Sequence, residues 1–547
     1  MKKVVFKNDC QNQPSLFPYS FDGFISKEHP ARLINSVIDK LDITDILNTY
    51  QGGGTSSYHP RMLLKVLIYG YLNNLYSSRK IAKALKENVY FIWLSGQSFP
   101  DFRTINNFRG KRLKDRIEEI FRQVVLFLTE EGVVSLEEVF TDGTKIESVA
   151  NRYTFVWKGS IEKNKARLEK KVEVLLKEIS LTITEDDTSG EEKSIMPDLT
   201  SETLQEKINR INEALSNKTA NKKTIRQAGK LENELLPKLK EYEQHLSTLG
   251  DRNSYSKTDH DATFMRMKED HMKNGQLKPA YNIQLSTENN YITNFTIHQK
   301  PGDTTTFIPH IEAYKKSYGK YPEIAIADAG YGSCENYSFM DQNGIENYVK
   351  FNYFHKEQNR KFRRDISKVE NLYYNKEGNF FVCPMGQKMN AIGIATRKTD
   401  TGYKYEVTYY KASNCSNCPL KGACHKQKGD RIIEVNRLLY KYKQMVRENL
   451  LSEKGIELRG RRCTEVEQTF GQLKWNKKFT RFLLKGLTKV SVEIGLIALA
   501  HNFTKLFRWL ENTSLEASFV WLPLNIIETI ILLLKKYYPQ NRIMAQY

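Results

Sequence analysis

The sequence predicts an α/β protein: a core of strands and helices, preceded by a helical domain and interrupted by one helical and one β-rich insertion. Three observations lead there. Two apolar runs, Val139-Phe140-Thr141-Asp142 and Glu323-Ile324-Ala325-Ile326-Ala327-Asp328, have the character of buried strands, and each ends on an aspartate. Between them, residues 280–285 and 291–297 flank the turn-prone Thr287-Glu288-Asn289-Asn290, a hairpin signal. Most of the remaining chain repeats its apolar residues at helical spacing.

In chain order, residues 1–130 read as a helical N-terminal DNA-binding domain. Leu33, Ile34, Val37, Ile38 and Leu41 keep helix spacing, and residues 62–71 form a second apolar run. Gly52-Gly53-Gly54 and Pro60 punctuate between them. Residues 77–85 make a polar helix, and Asp101 is placed to cap another. Basic and amide side chains there suggest a helix-turn-helix-like reader with Arg79, Lys80, Arg103 and Arg109 on DNA; a plain bundle with a wet basic face is the alternative.

Residues 131–157 begin the core. Residues 158–250 form a coiled-coil-like insertion, in which Ile161, Leu168, Val172, Leu175 and Ile179 set the pattern continued by Leu204, Ile208, Ile211 and Leu215. The core resumes over 251–349 with the hairpin, a helix from Asp303 and the second aspartate strand. Residues 350–440 are a β-rich insertion with cysteines, residues 441–510 finish the core with a glutamate-bearing helix, and 511–547 read as a helical tail. Strand, hairpin, helix, strand is an order that suits a ribonuclease-H-like core.

Composition narrows the function. Over 547 residues, 84 Lys and Arg against 64 Asp and Glu leave a net charge of +20, which favours a polyanionic partner and puts nucleic acid first. The N-terminus lacks a signal-like apolar run, and the apolar stretches near 490–507 and 525–534 are broken by Glu493, His501 and Glu528. A cytoplasmic protein without a membrane partner is expected. Seven cysteines with no export signal point to reduced thiols or metal ligands.

Phosphoryl chemistry with two divalent ions needs about three carboxylates converging from different elements. Asp142 and Asp328, at the ends of apolar strands, meet that need. The third lies in Arg461-Arg462-Cys463-Thr464-Glu465-Val466-Glu467, where Glu467 and Lys474 share one face of an ideal α-helix and Glu465 does not. Glu467 is therefore preferred, with Glu465 as the alternative. Two basic stretches flank these acids: Lys350–Arg364, with Lys356, Arg363 and Arg364 among aromatics, and 459–489, with Lys477 and Arg481. Cys415-Ser416-Asn417-Cys418, Cys424 and the upstream Cys383 have spacing that suits a structural Zn²⁺, with His425 able to replace one thiol.

The segments Phe140-Thr141-Asp142-Gly143-Thr144-Lys145, Ala327-Asp328-Ala329-Gly330-Tyr331-Gly332 and Val466-Glu467-Gln468-Thr469-Phe470-Gly471-Gln472-Leu473-Lys474 resemble the DDE transposases of bacterial insertion sequences, closest to insertion-sequence family 1182. Residues 59–109 are similar to the InsH-type N-terminal domain of that group. The resemblance implies a catalytic triad of Asp142, Asp328 and Glu467, with Lys474 as the basic residue of an E-x6-K element. It implies two Mg²⁺ or Mn²⁺ ions, cleavage and strand transfer at terminal inverted repeats, double-stranded DNA as transposon end and target, and a homodimer on DNA near the nucleoid. Related groups place a Tyr and an Arg upstream of the glutamate, where this chain has Gly460 and Cys463. A DNA-binding architectural or regulatory protein, or a ribonuclease-H-like nuclease without strand transfer, are the alternatives.

Overall fold

The computed structural model describes residues 20–51, 56–184, 199–216, 222–267 and 275–514. The glycine run at 52–54, the apolar stretch at 525–534 and nearly all of the 511–547 tail lie outside the described residues. The described residues form a mixed α/β structure with three sheets.

The N-terminal region is helical: α1 (Pro30–Lys40), α2 (Pro60–Leu72), α3 (Ser78–Glu87), α4 (Val89–Leu94), α5 (Phe102–Asn107) and α6 (Ile117–Glu130). Pro60 opens α2 at a position whose N–H has no helical partner, and His59 Nδ1 accepts from the Arg61 N–H at 3.2 Å. The sequence expects two short helices, at 77–85 and from 101. Both form, as α3 and α5, and the six-residue α4 lies between them.

The core sheet contains β1 (Glu138–Glu147), followed along the chain by the short β2 (Phe155–Trp157). The helical insertion comes next: α7 (Lys158–Thr184), α8 (Ser201–Ser216), α9 (Lys222–Lys230) and α10 (Leu236–Leu249), the last two joined by a π turn. Leu168, Val172, Ile179, Leu204, Ile208 and Leu239 pack into a separate apolar core here, so the heptad-like spacing folds into a small bundle. The core then resumes with β3 (Ser254–Ser256), β4 (Thr263–Arg266), β5 (Leu277–Glu288) and β6 (Tyr291–His298). Asn289 and Asn290, at φ 51° and 63°, make the two-residue turn between β5 and β6. Asparagine tolerates that left-handed backbone, and the twist of such a turn matches the hairpin.

After α11 (Phe307–Tyr318) come β7 (Ile324–Ala327), α12 (Cys334–Gln342) and β8 (Glu346–Asn347). The core order is β4-β5-β1-β7-β8 with β6 also on β5; β1 runs antiparallel to β5 and parallel to β7. Residues 373–435 form a second, antiparallel sheet of β9 (Tyr373–Asn375), β10 (Phe380–Val382), β11 (Lys388–Lys398), β12 (Lys404–Ala412) and β13 (Ile432–Val435). The chain then returns through α13 (Arg437–Leu451), α14 (Glu453–Arg462) and the long α15 (Leu487–Ser514).

Helix α15 explains how the pieces cohere. Its segment Leu487–Asn512 is long and apolar enough to cross a membrane, yet it lies inside the protein, with Val490, Val492, Leu496, Ala498, Leu499 and Ala500 fully buried. It packs against α2, α6 and β6 and so joins the N-terminal helices to the sheet. Each large aliphatic side chain removed from water there contributes about 1.5–3 kcal/mol.

Candidate active site

The register of β1 on β7 pairs Val139 with Ala325, Phe140 with Ile326 and Thr141 with Ala327. The next residues along the two strands are Asp142 and Asp328. Apolar side chains drive both strands into the core, and the aspartates stand where each run meets the surface: Asp142 is half-buried and Asp328 exposed. Asp142 Oδ1 accepts the Gly143 N–H at 2.8 Å, and Asp328 Oδ1 caps the turn Ala329–Tyr331 through the Ala329 N–H at 2.7 Å.

Two glycines make this arrangement possible. A Cβ on Gly143 would stand 2.7 Å from Asp303 Oδ1 and would also collide with the Gln284 amide. One on Gly332 would stand 2.5 Å from the Lys350 carbonyl. Under the sheet end, Tyr331 donates to Gln284 Oε1 and is fully buried. Burial, then the negative charges of Asp142, Asp303 and Asp328, pushes its phenol well above the ordinary range. Asp303 is thus a third aspartate of this neighbourhood. Its signal was its place at the head of the expected helix, but it is fixed by the amides of Asn282 at 2.8 Å and Gln284 at 3.1 Å.

The glutamate comes from the helical run that begins with α14. Beyond Arg462 the backbone makes a π turn at Cys463–Glu467, an α turn at Gln468–Gly471 and a second π turn at Gln472–Asn476. The seven-residue step from Glu467 to Lys474 is therefore not two ideal α turns, and the two side chains take different partners. Lys474 Nζ donates to Thr144 Oγ1 on β1, two residues beyond Asp142 and so on the same strand face. The Glu467 carboxylate pairs with Arg462 at 2.9 Å, its side chain 52% exposed. Glu465 is the buried one; it accepts the Asn290 N–H and lies 3.8 Å from Arg461, which makes it a brace between helix and hairpin. Burial raises its carboxyl above the usual range.

A divalent ion would suit the oxygen donors of Asp142 and Asp328. Among the described residues, however, no three Asp, Glu, His or Cys side chains are spaced to hold a metal ion, and Glu467 is paired with Arg462. The same holds for the thiols. Cys383, Cys415, Cys418 and Cys424 are all free, and with His425 they line one cavity of about 20 Å³ in the β-rich insertion. Arg431 donates to Cys424 Sγ at 2.9 Å and its backbone N–H to Cys415 Sγ at 3.5 Å, while buried His425 Nε2 has no partner.

The residues expected on DNA divide in two. Arg79, Lys80 and Arg103 are exposed on the paired α3 and α5, with both arginines over the Phe102 ring at 4.9 and 5.7 Å. Lys356, Arg363 and Arg364 are also exposed. Arg109 and Lys477 are corrections, since both are buried. Arg109 donates to the Tyr71 hydroxyl at 3.1 Å and lies 3.8 Å from Glu493 of α15. Lys477 points to the Leu72 carbonyl and Thr504, and burial pushes its ammonium down to about 8. Arg481, though exposed, is committed to the backbone: it donates to the Ser148 and Val149 carbonyls, both at 3.1 Å.

Comparison with known families bears on this geometry. Residues 382–507 match a family model described as a transposase DDE domain, and residues 19–111 match one described as a transposase domain (DUF772). Both are transposase domains. The transposase DDE match takes in the four cysteines of the β-rich insertion, β11 to β13, Glu467, Lys474 and most of α15, and starts after both aspartates. The N-terminal transposase match covers α1 to α5. Neither the curated proteins nor the solved structures gave a match to this chain.

Proposed function

We propose that the protein is a DDE transposase that cleaves and joins DNA at the terminal inverted repeats of an insertion sequence, on a ribonuclease-H-like core. The single observation carrying this reading is the β1–β7 register, which brings Asp142 and Asp328 to adjacent strand ends beneath the helical run that carries Glu467 and Lys474. The matches to transposase domains support it.

Asp142, Asp328 and Glu467 would hold two Mg²⁺ or Mn²⁺ ions, with Glu467 exchanging Arg462 for the ions. When bound, such ions lower the cost of making a nucleophilic oxygen and of charging the leaving oxygen. Lys474, held toward β1 by Thr144, orients a phosphate near Asp142. Arg79, Lys80 and Arg103 on one side and Lys356, Arg363 and Arg364 on the other carry the duplex. The thiols of Cys383, Cys415, Cys418 and Cys424 would close on a structural Zn²⁺, a reading supported by their convergence on one cavity. A homodimer would pair two transposon ends.

The test is cleavage of the element's own terminal repeats with Mg²⁺ or Mn²⁺. Asp142→Ala, Asp328→Ala and Glu467→Ala should each abolish strand cleavage while DNA binding persists. Retained cleavage in any variant removes that residue from the triad, and hydrolysis without joined products would favour a nuclease.

A further inference from the structure

One group of buried cations beside the aspartates has no use in the reading above. The chain beyond β8 continues along β7: the Tyr348 N–H donates to the Ala325 carbonyl at 3.0 Å and the Lys350 N–H to the Ala327 carbonyl at 3.3 Å. Lys350 therefore stands beside Asp328 in the neighbouring line of the sheet. It is only 9% exposed, and among the described residues its ammonium makes no hydrogen bond or ion pair. Arg462, 6% exposed, reaches the same place from α14. One of its nitrogens, Nη2, pairs with Glu467, while Nε and Nη1 are buried with no partner. Burial and the like charge of Arg462 hold the Lys350 ammonium below its usual range; Asp328 acts in the opposite sense, and Arg459 adds to the repulsion.

A guanidinium with two buried, unpartnered donors, set beside a second and partly desolvated cation that repels it, destabilises a fold unless an anion completes the pair. The carboxylates nearby do not: Asp328 caps its own turn and Glu467 takes one edge of Arg462. A flat guanidinium edge next to a point-like ammonium matches the several oxygens of a tetrahedral phosphate. We propose that Lys350 and Arg462 form a phosphate pocket that holds the DNA strand at a phosphodiester next to the one presented to Asp142 and Asp328. The assignment of the phosphate to DNA rests on the transposase reading; the pocket itself does not.

The pocket makes Lys350 a residue whose removal helps the empty protein and harms the loaded one. The experiment is thermal unfolding of the full chain in EDTA, with inorganic phosphate against chloride at matched ionic strength. The wild type should gain on the order of 2 °C from phosphate beyond chloride. Lys350→Met should lose that gain, and its melting temperature in chloride should equal or exceed that of wild type; Lys350→Gln serves if the methionine variant does not fold. A wild type with no phosphate-specific gain, or a variant that keeps it, overturns the pocket. The source of the phosphate is read from binding of a labelled 20-base-pair duplex across salt concentrations. Occupation by DNA predicts a log–log slope shallower by about 1 in Lys350→Met, whereas equal slopes overturn the DNA assignment. If the phosphate effect stands but the wild type never cleaves DNA, it is the transposase reading that fails.

Discussion

Gly143 sets the position of the aspartate before it. Because Asp303 and Gln284 fill the space where a side chain would go, Gly143→Ala should push β1 away from β5 and shift Asp142. A displacement of about 1 Å at reacting groups costs roughly 100-fold in rate; DNA cleavage by this variant, with circular dichroism showing an unchanged fold, measures it. Buried histidines give a pH prediction. His310, held between Ser286 and Thr296, is pushed down to about 3 by burial, and His501, against the Asn290 carbonyl, to about 4. Both folded values lie below the unfolded value of about 6.5, so the unfolded chain binds the extra protons. The stabilisation is complete above that value and is lost as pH falls toward the folded values, by up to about 1.4 kcal/mol per pH unit for each histidine. Urea midpoints at pH 7 and pH 5 should show it; equal midpoints would contradict it. At this scale the sequence reveals Asp142 and Asp328, because each closes a local apolar run. It hides the fate of Arg109 and Lys477, each of which has a partner hundreds of positions away, Glu493 and the Leu72 carbonyl.

Among the elements, the helical run from Glu453 to Asn476 marks where local pattern misleads. Ideal α geometry separates Glu467 from Glu465 and aligns Glu467 with Lys474. The π turns at Cys463–Glu467 and Gln472–Asn476 shift that phase, and nothing in the composition of CTEVE or QLKWN announces them. The distinction between the two glutamates has a different physical basis: Glu465 is spent on the hairpin turn at Asn290, and Glu467 faces outward. In the β-rich insertion the alternating strands are legible and the convergence of four thiols is legible only as spacing. If they bind zinc, elemental analysis of the purified protein should find about one ion per chain, lost in the double variant Cys415→Ser, Cys418→Ser. Absence of zinc from the wild type removes the proposal.

For the molecule as a whole, the N-terminal helices are clasped to α15 and to the 483–484 segment by Glu493. Fully buried on α15, it accepts the Leu483 and Leu484 N–H groups at 2.8 and 2.9 Å and faces Tyr71 and Arg109. Arg109→Ala strands that carboxylate and should cost about 3–5 kcal/mol of stability, read from denaturant unfolding; a loss under 1 kcal/mol would show that the backbone donors suffice. The division into helical, core and inserted regions follows from periodicity and turn residues, but the joining of distant parts by α15 does not, since an apolar helix carries no record of its neighbours. The pairing of Glu138 with Ile324 closes a loop of 324 − 138 = 186 residues, and the closure entropy of such a loop grows only as its logarithm. Residues 158–250 supply half of that length, so their presence adds only about 0.6 kcal/mol to the closure. An arm of this kind can be lengthened, trimmed or exchanged between the two aspartate strands at almost no thermodynamic penalty, which leaves its sequence free to diversify while the register that sets the strand ends stays fixed.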